Sequence, residues 1–173
     1  SGMFCDSVGS TQLSEHLSIE EMQIVLQHYY DVANKIAQKR NGYVVGTQGD
    51  GVVILFGDPR VLDGFAERCV QAARELQTAL AEQSVSIEGK EPIYIATRIG
   101  IATGQAAVGQ AESVLPGNPM QLVGPVVNRA SRFQAVAHPV SIAVDIKTQE
   151  LTRNSSQYGP VELHNLKGLP SGI

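Results

Sequence analysis

Apolar residues in this chain fall into two rhythms. Between Met22 and Ala37 they recur every third or fourth position (Met22, Val25, Leu26, Tyr29, Ala33, Ile36, Ala37), laying one buried stripe along a helix. Ser18-Ile19-Glu20-Glu21 supplies its start, because Ser18 can accept from the amide three residues on while Glu21 reaches back. Asn41-Gly42 stops it. A second helix is predicted from about Asp63 to Ala81, with Phe65, Cys69, Ala72, Ala73, Leu76 and Leu80 inside. The other rhythm is short and β-rich. Gly2 to Asp6 reads as the end of a buried strand, left through a tight turn at Val8-Gly9-Ser10-Thr11. Tyr43-Val44-Val45 and Val52 to Phe56 flank Thr47-Gln48-Gly49-Asp50-Gly51, a hairpin that places Asp50 at its tip.

Further on, residues Gln83 to Pro92 are polar and loop-like, Tyr94 to Ala102 form a strand, and Ala106 to Gly109 a shorter one. Gln110 to Met120, rich in Pro and Gly, is a surface excursion of the sort that carries a lid or a partner contact. After Leu122-Val123-Gly124 a third helix runs through Asn128 and Arg132. A strand at Ser141 to Val144, a short helix at Ile146 to Leu151 and a last strand around Val161 to Leu166 complete the order. The sequence β-α-β-β-α-β with an α/β tail predicts an α/β (α+β) fold: a ferredoxin-like mixed sheet carrying helices on one face.

Composition narrows the class. At 173 residues the chain suits one domain, spanning 1–173. It is 43% hydrophobic and 17% charged with a formal charge of −4, and no run of apolar residues is long enough for a membrane span. The 13 basic residues are scattered, which argues against a polynucleotide partner but leaves room for a small anion. Cys5 and Cys69 lie in apolar stretches without metal-ligand spacing and read as reduced core residues, pointing to a cytoplasmic protein. The four histidines likewise show no ligand spacing.

The chemistry gathers at two aspartates. Asp6 ends the first strand and Asp50 tips the hairpin, so adjacent strands would bring both carboxylates to one edge of the sheet. Converging carboxylates repel unless a cation sits between them, and hard oxygen ligands suit Mg²⁺ or Mn²⁺ completed by water and substrate phosphates. An aspartate between glycines is also ordinary turn chemistry. The turn at Val8 to Thr11 favours the first reading, since exposed amides ahead of a helix can cradle phosphate.

Four blocks in order, Phe4 to Thr11, Gly49 to Gly57, Arg98 to Gly104 and Gly124 to Arg132, resemble the signature blocks of the class III adenylate/guanylate cyclase catalytic domain. The stretch Pro160 to Leu169 is similar to that family's C-terminal strand. The resemblance implies a nucleotide cyclase that closes a nucleoside triphosphate into a 3′,5′-cyclic nucleotide and pyrophosphate with two divalent metal ions, Mg²⁺ or Mn²⁺. By position it implies that Asp6 and Asp50 bind metal, with the carbonyl of Ser7. Val8, Gly9, Ser10 and Thr11 would border the phosphates, and Arg98 and Lys167 would contact the triphosphate. Asn128 and Arg132 would steady the ribose and the reacting phosphorus. It further implies a head-to-tail homodimer in which metals come from one subunit and the Asn/Arg pair from the other.

The base-reading positions depart from the family pattern. The lysine expected four residues before the second aspartate is Gly46, and the Asp or Thr expected three before the asparagine is Pro125. Neither side chain can hydrogen-bond, and the guanylate pair is absent as well. Three readings follow: an adenylate cyclase that reads its base through backbone or through Thr47 and Gln48; a pyrimidine cyclase of bacterial antiviral signalling, making cyclic UMP or cyclic CMP; or a silent regulatory module.

Overall fold

Residues 1–57, 63–109, 121–123, 125–164 and 166 are described by a computed structural model. In chain order they form β1 (Gly2–Ser7), α1 (Ser10–Ser14), α2 (Ile19–Lys39), β2 (Gly42–Gln48), β3 (Gly51–Phe56), α3 (Phe65–Glu82), β4 (Thr97–Ala102), β5 (Ala107–Gly109), β6 (Gln121–Val123), α4 (Pro125–Val136), β7 (Ile142–Val144) and α5 (Ile146–Thr152). Five strands make one mixed sheet in the order β2-β3-β1-β4-β7, and β5 and β6 pair separately. β1 lies antiparallel to both β3 and β4, while β7 runs parallel to β4. The arrangement of β1 to β4 is the expected ferredoxin-like one, with β7 added at the edge.

Side-chain alternation divides the core. Met3 and Cys5 of β1, with Ile99 and Ile101 of β4, pack against Val25 and Tyr29 of α2 and Leu76 and Leu80 of α3. The intervening Phe4 packs on the opposite face with Val126, Ala130 and Phe133 of α4. Helices therefore cover both faces, where the sequence predicts one. Gly100 makes the second face possible: a Cβ there would lie 2.0 Å from the carbonyl oxygen of Ala130 and 2.2 Å from the amide nitrogen of Gln134. The bare backbone of β4 lets α4 settle directly on the sheet.

The long helix begins as its sequence dictates. The Ser18 side chain accepts from the Glu21 amide at 3.2 Å, and the Ser18 amide donates to Glu21 at 2.7 Å. Other expectations change. The turn after β1 includes the short helix α1, and β6 occupies Gln121–Val123 where only an approach to the third helix is expected. β4 starts at Thr97 rather than Tyr94; upstream, Ile93 makes an isolated bridge with Val85 instead. No strand forms at 161–164 or 166, and Val161 and Leu163 are exposed. Without a pairing partner, alternating apolar residues do not make a strand. The expected excursion at 110–120 lies outside the described residues. Among those described, no helix is long and apolar enough to cross a membrane.

Candidate active site

The pairing of β1 with β3 sets the site. Cys5 is opposite Val52, so the next residues of β1 pass beside the turn joining β2 to β3. That turn is Gly49-Asp50, with Gly49 at φ 62°, a conformation glycine adopts without strain. The Tyr30 hydroxyl of α2 donates to the Gly49 carbonyl at 2.7 Å and anchors the turn. Ser7 then donates through Oγ to Asp50 Oδ2 at 2.7 Å. Strand pairing and two hydroxyl contacts thus bring Asp6 and Asp50 together, as the sequence predicts.

Asp6 has two further neighbours on Oδ2. Arg98, its register partner on β4, approaches to 3.9 Å, and the Gln134 amide of α4 donates at 3.0 Å. Even so, burial and the neighbouring Asp50 charge push the Asp6 carboxyl above its usual range. For Asp50, burial acts in the same direction but is outweighed by hydrogen bonds from Ser10 and Ser7, which hold it below that range. The Asp50 charge so close to the Asp6 carboxyl marks a place where a cation is favoured.

The donor set fits a hard divalent ion. Asp6 and Asp50 offer carboxylate oxygens, and Ser7, with its backbone carbonyl, directly follows Asp6 on β1. Among the described residues no group of three His, Cys, Asp or Glu could enclose a metal. A pair of carboxylates without a protein cage suits Mg²⁺ or Mn²⁺, whose remaining ligands are waters and phosphate oxygens, better than a closed zinc site.

Around this pair the other predicted residues separate. The Val8 amide donates to the Ala96 carbonyl at 2.8 Å, so it is spent within the fold and is not open to phosphate. Gly9 caps α1, and the amides of Ser10 and Thr11 fall in its first turn, where helices lack internal acceptors. Gly46 lies on β2 beside a register shift between Val44 and Gly46, and a Cβ there would meet nothing within 4 Å. Thr47 is exposed and Gln48 ends the strand. Pro125 is exposed at the first position of α4, where its missing N–H is no loss. Lys167 lies outside the described residues.

Asn128 and Arg132 behave differently. They stand one turn apart on α4, both exposed, and neither side chain has a partner among the described residues. They do not join Asp6 and Asp50 within the chain. Between them Arg129 turns inward and donates to the fully buried Asp145 at 2.9 Å. Asp145 also caps α5 through the Thr148 amide at 2.8 Å. Gln134, Tyr30 and this Arg129–Asp145 pair are absent from the sequence reading. A polar Gln134 in the inner stripe of α4 is the one signal that could have revealed its role.

Comparison with known proteins identifies the family and agrees with the fold. The family model for the adenylate and guanylate cyclase catalytic domain matches residues 1–171. An uncharacterised protein of Mycobacterium tuberculosis is 26% identical over 148 residues, covering 84% of this chain and 26% of that protein. The chain therefore spans about a quarter of that relative. Adenylate cyclase 1 of Rhizobium meliloti is 29% identical over 136 residues, covering 78% of this chain and 20% of its own length. The guanylate cyclase domain of RhGC from Catenaria anguillulae, solved in complex with GTP, superposes with a TM-score of 0.87 at 26% identity, covering 96% of this chain and 88% of that one. The chain belongs to the adenylate and guanylate cyclase catalytic domain family.

Proposed function

We propose that the protein cyclises a nucleoside triphosphate, with ATP as substrate and cyclic AMP as product, at sites formed between two copies of the chain. The observation that carries this reading is the meeting of Asp6 and Asp50 at one sheet edge, while Asn128 and Arg132 stand exposed on α4 without a partner among the described residues. A complete site needs both groups, and a head-to-tail dimer supplies the second from the neighbouring chain. Such a dimer contains two equivalent sites.

In this mechanism Asp6, Asp50 and the Ser7 carbonyl would hold the divalent ions, which when bound would lower the pKa of the ribose hydroxyl and neutralise phosphate charge. The amides of Ser10 and Thr11 bind phosphate oxygens at the first turn of α1, and Arg98 and Lys167 add positive charge. Asn128 of the neighbouring chain orients the ribose, and Arg132 meets the charge that builds on the α-phosphate in the transition state. The ribose 3′ oxygen bonds to the α-phosphorus, its proton passes to solvent, and the bond from the α-phosphorus to the bridging oxygen breaks. Pyrophosphate carries away that electron pair.

ATP rests on the resemblance to bacterial adenylate cyclases and on the absence of the guanylate pair of base contacts. The open space at Gly46 and the donorless Pro125 favour a second reading, a pyrimidine substrate giving cyclic UMP or cyclic CMP. Incubation with each of the four nucleoside triphosphates and Mn²⁺, followed by mass spectrometry of the cyclic product, decides the base. Cyclic AMP as the dominant product supports the proposal; cyclic UMP or cyclic CMP moves it to the second reading. No cyclic product from any of the four makes the domain a silent binding module.

A further inference from the structure

Gln134 is out of place on its helix. The inner face of α4 is Val126, Ala130, Phe133 and Gln134, spaced as one stripe, and the glutamine is only 7% exposed. An apolar residue would fill that position with no polar atom to satisfy. A buried amide needs partners, and unpaired it would be destabilising. Here the Nε2 group reaches across the sheet face to Asp6 Oδ2 at 3.0 Å. The reach depends on Gly100, whose missing side chain lets the backbone of α4 at Gln134 lie against β4.

The direction of the contact matters. The two nitrogen partners of Asp6, Gln134 and Arg98, both fall on Oδ2. Among the described residues no nitrogen donor is seen on Oδ1, and Gln134 fixes the carboxylate in rotation with a neutral donor that brings no charge of its own. A carboxylate held by one oxygen and free at the other is the arrangement by which outer partners orient metal ligands. We propose that Gln134 is a positioning residue for Asp6, presenting its free oxygen to the divalent ion shared with Asp50. The inference rests on the reading that Asp6 and Asp50 hold the metal. It adds a residue that neither spacing nor motif selects, on the same helix that carries Asn128 and Arg132.

The test is Mn²⁺ binding to nucleotide-free protein, followed by loss of the free-ion electron paramagnetic resonance signal. Gln134→Met keeps length and burial and removes the donor. Expected is an affinity for Mn²⁺ about tenfold weaker than that of the unaltered protein, with a metal-free melting temperature that does not fall. Gln134→Leu is measured beside it and decides the matter if the Met variant melts lower. Equal Mn²⁺ affinity in the unaltered protein and a folded variant overturns the positioning role while leaving the metal reading intact. Mn²⁺ binding that is absent, or unaffected by Asp50→Ala, overturns the metal reading and this inference with it.

Discussion

The two halves of the candidate site are built in opposite ways. At the sheet edge the carboxylates are tied from several sides: Ser7 holds Asp50, Gln134 and Arg98 hold Asp6, and Tyr30 pins the turn between β2 and β3. On α4, Asn128 and Arg132 point outward with no partner among the described residues, while Arg129 beside them is locked onto buried Asp145. The helix is fixed, and the two candidate side chains have no partner among the described residues. On the proposed reading, the groups that would bind an ion are preorganised within the chain, whereas those that would meet a neighbour's substrate await it.

That contrast can be broken from either side. The largest effect is expected at the held half. Asp50→Ala removes a metal ligand, so turnover with Mn²⁺ should fall by about a thousandfold or more, while stability to urea stays within about 1 kcal/mol. A folded variant with normal turnover would remove the carboxylate pair from the mechanism. At the free half, Arg132→Ala should lower kcat by about 10² to 10³ and leave the urea midpoint unchanged, because the side chain has no partner to lose among the described residues. A clear loss of stability there would show that Arg132 is structural. The smallest effect is at the support. Ser7→Ala removes one hydroxyl from Asp50 but leaves its backbone carbonyl, and kcat/KM should drop about tenfold. A loss as deep as that of Asp50→Ala would mean that the hydroxyl itself takes part in the chemistry.

What the sequence could say follows from where the information lies. The capping box at Ser18 and Glu21, the Gly49-Asp50 turn and the stripes of α2 and α3 are local patterns, and each appears as predicted. The meeting of Asp6 and Asp50 needed only that two recognisable strands be neighbours. Other features depend on distant partners. Covering the second sheet face needs Gly100 against Ala130 and Gln134, some thirty positions away along the chain. Val8 belongs to an apparent phosphate-binding turn, yet its amide is consumed by Ala96, a contact without any sequence signature. The segment at 161–164 has the alternation of a strand but pairs with no strand among the described residues. The Asp145 network joins Thr103, just past β4, with Arg129 of α4 and Thr148 of α5 around one buried carboxylate.

The central claim is that each site is completed by a second copy of the chain. Asp50→Ala spoils one half of a site and Arg132→Ala the other, so each variant alone should be inactive. Mixed in equal amounts and allowed to exchange subunits, they should form mixed dimers holding one intact site, and turnover should return to about a quarter of the unaltered level. A mixture no more active than its two components, under conditions where subunit exchange is demonstrated, would contradict the account.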